Sequence, residues 1–215
     1  MDNQVKLINT NLSGLINSCQ ENVEFRLPAA TWTRFLNEGI MDLYPLLFIE
    51  AEAILTKPKD QEYFELPDDL KQLYMVGDMS KEYQSWDIAS DKDYDYNFAN
   101  ADSTGTYRVF NHKLYVNGLS SSDANEDSIS IKYYRKPRML ELINKDRTDP
   151  EYRIDVPNEF IEPVMLYACA KAMQAEDETS RYQVFIAEYK KKKDWLEKYV
   201  HRYRPERKLY WKVRR

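Results

Sequence analysis

Apolar residues along the chain change their spacing twice, from a helical period to alternation and back again. Val5, Ile8, Leu12, Leu15, Ile16 and Cys19 recur at steps of three and four, which predicts an amphipathic helix over residues 2–20, with Asp2 placed to cap its start. A second helix is predicted from Thr31 to Tyr44. There Trp32, Phe35, Leu36, Ile40, Leu43 and Tyr44 lie toward one side, and Pro45 ends the pattern because proline lacks the N–H the helix ladder needs. Alternation follows. In "LFIEAEAIL", Ile49, Ala51, Ala53 and Leu55 fall on one side and Phe48, Glu50 and Glu52 on the other, as in a strand with one wet face. "TKPKDQ" is turn-rich, "EYFEL" and "LYMVGDM" read as short strands, and "PDDLKQ" between them reads as a helical turn or loop. "YRVFNHKLYVNG" reads as a hairpin about Asn111 and His112, and "SISIKYYRKP" as a last strand closed by Pro137. The stretch 87–104 is polar and acidic and reads as a loop.

Helical spacing returns over 158–176, with Ile161, Met165, Ala168, Ala172 and Ala175 on one face and Pro163 near the start, where a first turn tolerates it. The link "EDETS" leads to a final helix over 180–201, with Ser180 and Gln183 spaced for a capping box. Tyr182, Phe185, Ile186, Tyr189, Leu196 and Val200 form its apolar stripe, and Lys190 to Lys193 wrap the other side as a solvated face. So short a link predicts an antiparallel pair. Pro205 breaks the pattern. The expected fold is α+β, mainly α: a four-helix core from residues 1–47 and 137–201, a small antiparallel β-rich insertion over 48–136, and an extended basic C-terminal tail over 202–215.

Composition sharpens this picture at two points. The chain has 215 residues, 43% of them hydrophobic, which suffices for one core with a sizeable insertion. Its formal net charge is −5, yet Lys190 to Arg215 carry twelve Lys/Arg and three Asp/Glu, a net of +9 that leaves −14 on residues 1–189. Such asymmetry gives the tail a partner of its own. The seventeen tyrosines are the second point: tyrosine offers an apolar face with a polar tip and suits contact surfaces. Cys19 and Cys169 sit on apolar helix faces and read as two small buried hydrophobes rather than a disulfide framework, which fits a reducing compartment. "MDNQVKLINTNLSG" lacks the basic and apolar regions of a signal peptide, and no apolar run approaches a membrane span.

No spacing selects a catalytic site. His112 and His201 are far apart and lack Cys or carboxylate neighbours at ligand spacing, so no zinc site is expected. Gly14, Gly39, Gly77, Gly105 and Gly118 are isolated, so there is no phosphate cradle, and no nucleophile elbow occurs. "DKDYDYN" imitates a calcium loop through Asp91, Asp93, Asp95 and Asp102, but Tyr96 stands where the sharp turn needs glycine. No cofactor, metal or enzymatic activity is expected. The tail "HRYRPERKLYWKVRR" admits two active readings. Its basic groups can neutralise phosphates while Tyr203, Tyr210 and Trp211 stack on bases. Against this, a nucleic-acid domain spreads positive charge over a face, whereas the remainder here is acidic. Leu209, Tyr210, Trp211 and Val213 amid arginines instead have the composition of a segment that docks in a protein groove.

Three segments, in this order and spacing, resemble the head-to-tail adaptor (connector) proteins of tailed bacteriophages: "EYFELPDDLKQLYMV", with its strand, Leu-Pro-Asp-Asp and strand; "ISIKYYRKPRML", a strand ending in Tyr-Tyr-Arg-x-Pro; and "VPNEFIEPVMLYACAKAMQAEDETSRYQVFIAEYKKK", a helical hairpin with Tyr-Ala-x-Ala on its first helix and Glu-Asp at its turn. The resemblance spans Thr31 to Val200; the N-terminal helix and the acidic stretch 87–104 have no counterpart in the pattern. It implies a virion protein assembled in the host cytoplasm: the protomer of a closed homo-oligomeric ring, usually twelvefold, seated under the portal protein. Such a ring extends the DNA channel without gripping DNA and offers a surface to tail or further neck proteins. C-terminal segments of the family reach into the portal, which points to Arg204, Arg207, Lys208, Tyr210, Trp211 and Arg214 as portal-binding residues. A nucleic-acid-binding assembly factor using the same tail is the alternative.

Overall fold

A computed structural model of the chain describes residues 11–77, 84–85, 106–117, 126–141 and 154–203. Two compact units emerge: Met1–Leu47 with Pro137–Arg215, and Phe48–Lys136. The first is helical. Helix α1 (Leu12–Val23) opens at Asn11, whose backbone is extended and whose side chain accepts a hydrogen bond from the Gly14 N–H at 2.7 Å. An extended Asn11 corrects the expectation of one continuous helix over 2–20. Asparagine competes with the helix for its own backbone donors, so it starts helices rather than continuing them. Asp2, Val5 and Ile8 lie outside the described residues. The helix also runs past Cys19 and stops where Glu24 turns left-handed at φ 66°.

Helix α2 (Ala29–Leu43) starts two residues earlier than its apolar pattern, on the carbonyl of Pro28, which accepts from Thr31 and Trp32 N–H. Trp32, Phe35, Leu36, Ile40 and Leu43 are buried as expected, whereas Tyr44 is only half-buried. The α-helix stops just before Pro45, as expected, and the chain passes through a 3-10 turn, Tyr44–Leu46, before it straightens.

Helices α3 (Asn158–Ala175) and α4 (Thr179–Tyr203) form the expected antiparallel hairpin. Between them, Asp177 adopts φ 59°, and the Glu178 N–H returns to the Met173 carbonyl at 3.0 Å, closing α3 with a left-handed cap. The Lys192–Glu162 ion pair at 2.7 Å is centred on Asp177 in sequence, as antiparallel packing requires. Three details depart from expectation. Pro163 lies in the second turn of α3 rather than the first, so the Glu159 carbonyl lacks its intrahelical donor. Helix α3 is buried on more than one face, because α1, α2 and α4 all pack on it, and Ala175 is exposed at its end. Ser180 is no cap: the Glu178 carbonyl opens α4 by accepting from Tyr182 N–H at 2.9 Å, which puts Ser180 inside the first turn. All four helices share one core, from Leu15 and Cys19 through Leu36 and Val164 to Leu196. Helices α2 and α3 cross closely at Gly39, where a Cβ would stand 3.1 Å from the Val164 carbonyl oxygen.

The second unit is β-rich. Strands β1 (Ile49–Pro58), β7 (Glu126–Arg135) and β3 (Leu70–Gly77) form an antiparallel sheet in the order β1-β7-β3. Strands β2 (Tyr63–Glu65), β6 (Lys113–Asn117), β5 (Thr106–Phe110) and β4 (Gln84–Ser85) form the other, in the order β2-β6-β5-β4. The short β4–β5 pair is parallel, so the insertion is not wholly antiparallel as expected. The alternation of β1 stands: Glu50, Glu52 and Ile54 are exposed, while Ala51, Ala53 and Leu55 pair with the buried Tyr133, Ile131 and Ile129 of β7. The β5–β6 hairpin turns on Asn111 and His112 at φ 46° and 61°, the positive angles a two-residue primed turn requires. The Leu-Pro-Asp-Asp and Tyr-Tyr-Arg segments prove to be neighbours. Asp69 accepts from the Tyr133 hydroxyl at 3.1 Å and, through its carbonyl, from the Lys136 N–H, while Lys136 Nζ reaches the Asp68 carbonyl at 2.9 Å.

Candidate interaction surfaces

The tail residues Arg204, Arg207, Lys208, Tyr210, Trp211 and Arg214 lie outside the described residues, as do the acidic stretch 87–104 and the calcium-like Asp91–Asp102 loop. Among the described residues no cluster of three or more His, Cys, Asp and Glu could hold a metal, and no helix is long and apolar enough to cross a membrane. Cys19 and Cys169 are buried and face each other across α1 and α3, with the Cys169 thiol 3.9 Å from the Cys19 carbonyl. The hydrogen bond to Cys169, with burial and the proximity of a second thiol, pushes the Cys19 thiol well above its ordinary value. A protonated, buried thiol is inert, so the pair serves the core.

The lysine run of α4 is divided in role. Lys190 and Lys191 are exposed, as a solvated face should be. Lys192 instead pairs with Glu162 of α3, and Lys193 Nζ meets Asp42 of α2 at 2.7 Å. The Tyr189 hydroxyl donates to the same Asp42 carboxylate, and the Tyr189 ring sits edge-on to Tyr167 at 5.2 Å. Asp42 thus ties α2 to α4. Burial works to raise its carboxyl, but hydrogen bonds from Lys193 and Tyr189 and the charges of Lys193 and Lys171 outweigh it and leave it below its ordinary value. Burial first, then the hydrogen bond to Asp42, drives the Tyr189 phenol far upward. Nothing in the spacing of Asp42 marks it as a hub, because it lies on the polar flank of its helix.

Stability should therefore fall at both ends of the pH range. The Asp42 contribution is present above its ordinary 3.8 and is lost as pH falls through the lower folded value. The Tyr189 contribution is full below the ordinary 10.0 and is lost as pH climbs toward the higher folded value, because the unfolded phenol ionises first. Thermal melts across pH should show both limbs, and Tyr189→Phe should flatten the alkaline one.

Two helical surfaces face outward. On α4, Val184 and Trp195 are 58% and 51% exposed, and Trp195 stacks on Tyr199 at 5.0 Å. On α2, a groove of about 700 Å³ is lined by Ala30, Arg34, Glu38, Met41, Asp42 and Tyr167, among others. In the β unit the tyrosines gather into half-exposed clusters with cations. Lys71 lies over Phe48 at 4.4 Å, beside Tyr134 and Tyr74, and Lys113 lies over Tyr63 at 3.7 Å. Arg108 lies over Phe110 and Tyr115 at 4.9 and 5.4 Å. Amphipathic rings in contact with cations and partly open to water are the makings of contact faces.

The described residues thus form two cores whose surfaces carry partly exposed aromatic and cationic side chains. The family model described as SU10 adaptor protein matches residues 10–206, and the chain belongs to that family. This agrees with the resemblance to phage head-to-tail adaptors carried by its three segments. No curated protein matches the chain.

Proposed function

We propose that the chain is the protomer of a head-to-tail adaptor ring in a tailed-phage virion. The ring docks on the portal protein, extends the DNA channel and presents a surface to tail or further neck proteins. The observation that carries this reading is the family match across residues 10–206. The role is structural, with no catalytic step and no cofactor. Twelve copies, the usual number in the resemblance, would seat by multivalency: each protomer makes a modest contact, and tethering in one ring makes the sum effectively irreversible. The basic tail supplies that contact through Arg204, Arg207, Lys208, Tyr210, Trp211 and Arg214. Arginine forks meet carboxylates in pairs, and the aromatic rings fill grooves. The net −14 of residues 1–189 suits a channel wall that repels phosphate and lets DNA slide. Negative-stain imaging of portal-bearing capsids mixed with the purified chain tests the reading. An added ring at the portal vertex is expected; a vertex unchanged at saturating protein overturns it.

A further inference from the structure

We propose that the outer edge of β1 accepts an extended strand from a partner protein, one that sets Lys or Arg beside Glu50 and Glu52 and apolar side chains on its other face. The inference deepens the adaptor reading and rests on it, because it names the surface offered to tail or further neck proteins.

A strand at the end of a sheet leaves alternate N–H and C=O groups without a ladder partner. In the order β1-β7-β3 both β1 and β3 are end strands. They differ in regularity. The ladder of β3 on β7 shifts register twice, between Leu70 and Gln72 and between Leu73 and Met75, and such irregularities blunt an edge against further pairing. Strand β1 pairs with β7 at every position from Ile49 to Pro58 without a shift. The strand that follows, β2, pairs with β6 instead of folding back onto β1. A proline and an inward-pointing charge can guard an edge, but here they fall at its far end, at Pro58 and Lys57. Residues 49–55 thus form an unbroken edge with no strand on its second side among the described residues. A row of alternating backbone donors and acceptors is matched by another extended polypeptide, not by a helix.

The side chains set the chemistry of that polypeptide. On the wet face, Glu50 and Glu52 are exposed. Neither forms an ion pair, although Lys132 of β7 lies opposite Glu52. A strand added outside β1 brings its own wet-face side chains beside these carboxylates, where opposite charges attract and like charges repel. Ile54 follows on the same face, 68% exposed. On the other face, Ala51, Ala53 and Leu55 are only half-buried, although their β7 partners Tyr133, Ile131 and Ile129 are buried. The small alanines leave the flank of that core open, and apolar side chains from an added strand would close it. The occupant is therefore a segment alternating basic and apolar residues, held by main-chain bonds and kept in register by its two unlike faces.

The probe is the peptide Lys-Val-Lys-Val-Lys-Val-Lys, capped at both ends and added to the full chain. Hydrogen exchange of the amides in 49–55 should slow at least about tenfold, with the helical unit unchanged. The same peptide methylated on every backbone nitrogen keeps its charges and loses its donors, so it should protect nothing. Glu50→Lys with Glu52→Lys should weaken peptide binding at least about tenfold. On capsids supplied with tails, that variant should still seat at the portal vertex while tails fail to join it. No protection by the unmodified peptide, or equal protection by the methylated one, would overturn strand addition. Protection that arises in the chain alone and grows with its concentration would make a second copy the occupant and overturn the partner assignment, as would tails that join the charge-reversed ring normally. A vertex that takes up no ring overturns the adaptor reading instead, and the peptide result still decides the edge.

Discussion

Removing residues 204–215 is expected to abolish attachment of the chain to portal-bearing capsids while leaving its circular dichroism and melting temperature unchanged. The removed segment follows the end of α4 at Tyr203, and the described residues of both cores all precede it. It carries six Lys/Arg against Glu206, with Leu209, Tyr210, Trp211 and Val213 among them. Individual substitutions should be graded. Tyr210→Ala or Trp211→Ala removes an anchor that at a hot spot is worth roughly 2 kcal/mol or more, and the loss recurs in every copy, so a modest change per protomer becomes a steep loss of ring attachment. Co-sedimentation with portal-bearing capsids measures this. Full attachment of the truncated chain would refute the portal role of the tail. If truncation instead removed only duplex-DNA binding, and that binding fell steeply with salt at a slope near −0.9 per phosphate contacted, the nucleic-acid alternative would take its place.

How far the fold was legible follows from which physical signals are local. Period alone located both helices of the α3–α4 hairpin, and "NH" between two β-favouring runs located the β5–β6 turn, because positive φ at Asn111 and His112 is a local demand. The misses arise where a nearby group competes. Asn11 competes with the helix for donors and starts α1; the helix after the α3–α4 link begins at Thr179, with its first bond to the Glu178 carbonyl, so Ser180 falls inside the first turn instead of capping it. Helix α3 is buried more widely than its stripe suggests because three other helices press on it, which no window of sequence reports. Contacts between distant segments were the least legible. Asp42 meets Lys193 across 151 positions, and Asp69 meets Tyr133 across 64. The candidate faces divide along the same line: the tail was conspicuous by charge, whereas Trp195 stood unremarked in a helix whose inner stripe already accounted for its pattern.

Lys57 was legible in principle, because it continues the odd-numbered inward series Ile49, Ala51, Ala53 and Leu55 of β1. The turn-like composition of "TKPKDQ" masked that phase. In the structure its side chain is 7% exposed; it lies opposite Asp127 on β7, with Nζ 2.8 Å from the carboxylate and 2.7 Å from the Gln61 carbonyl. The ammonium also stands 5.3 Å from the centre of the buried Phe64 ring. Taking away one member of a buried pair strands the other charge in a poor solvent and costs about 3–5 kcal/mol, whereas replacing both by apolar groups of like size is near neutral. Asp127→Ala should therefore destabilise the β unit by about 3 kcal/mol, the low end of that range because the carboxylate is 14% exposed. A loss that size is a large share of the stability of an ordinary domain. Lys57→Met with Asp127→Leu should recover most of it, so the two single substitutions and the double one form a cycle with a large coupling term. Urea denaturation followed by a probe within the β unit reads the result. A loss below about 1 kcal/mol for Asp127→Ala would mean that water screens the pair as it screens a surface bridge. The inward phase of Lys57 would then be a packing role for its aliphatic stem, with the charge reaching solvent at the strand end.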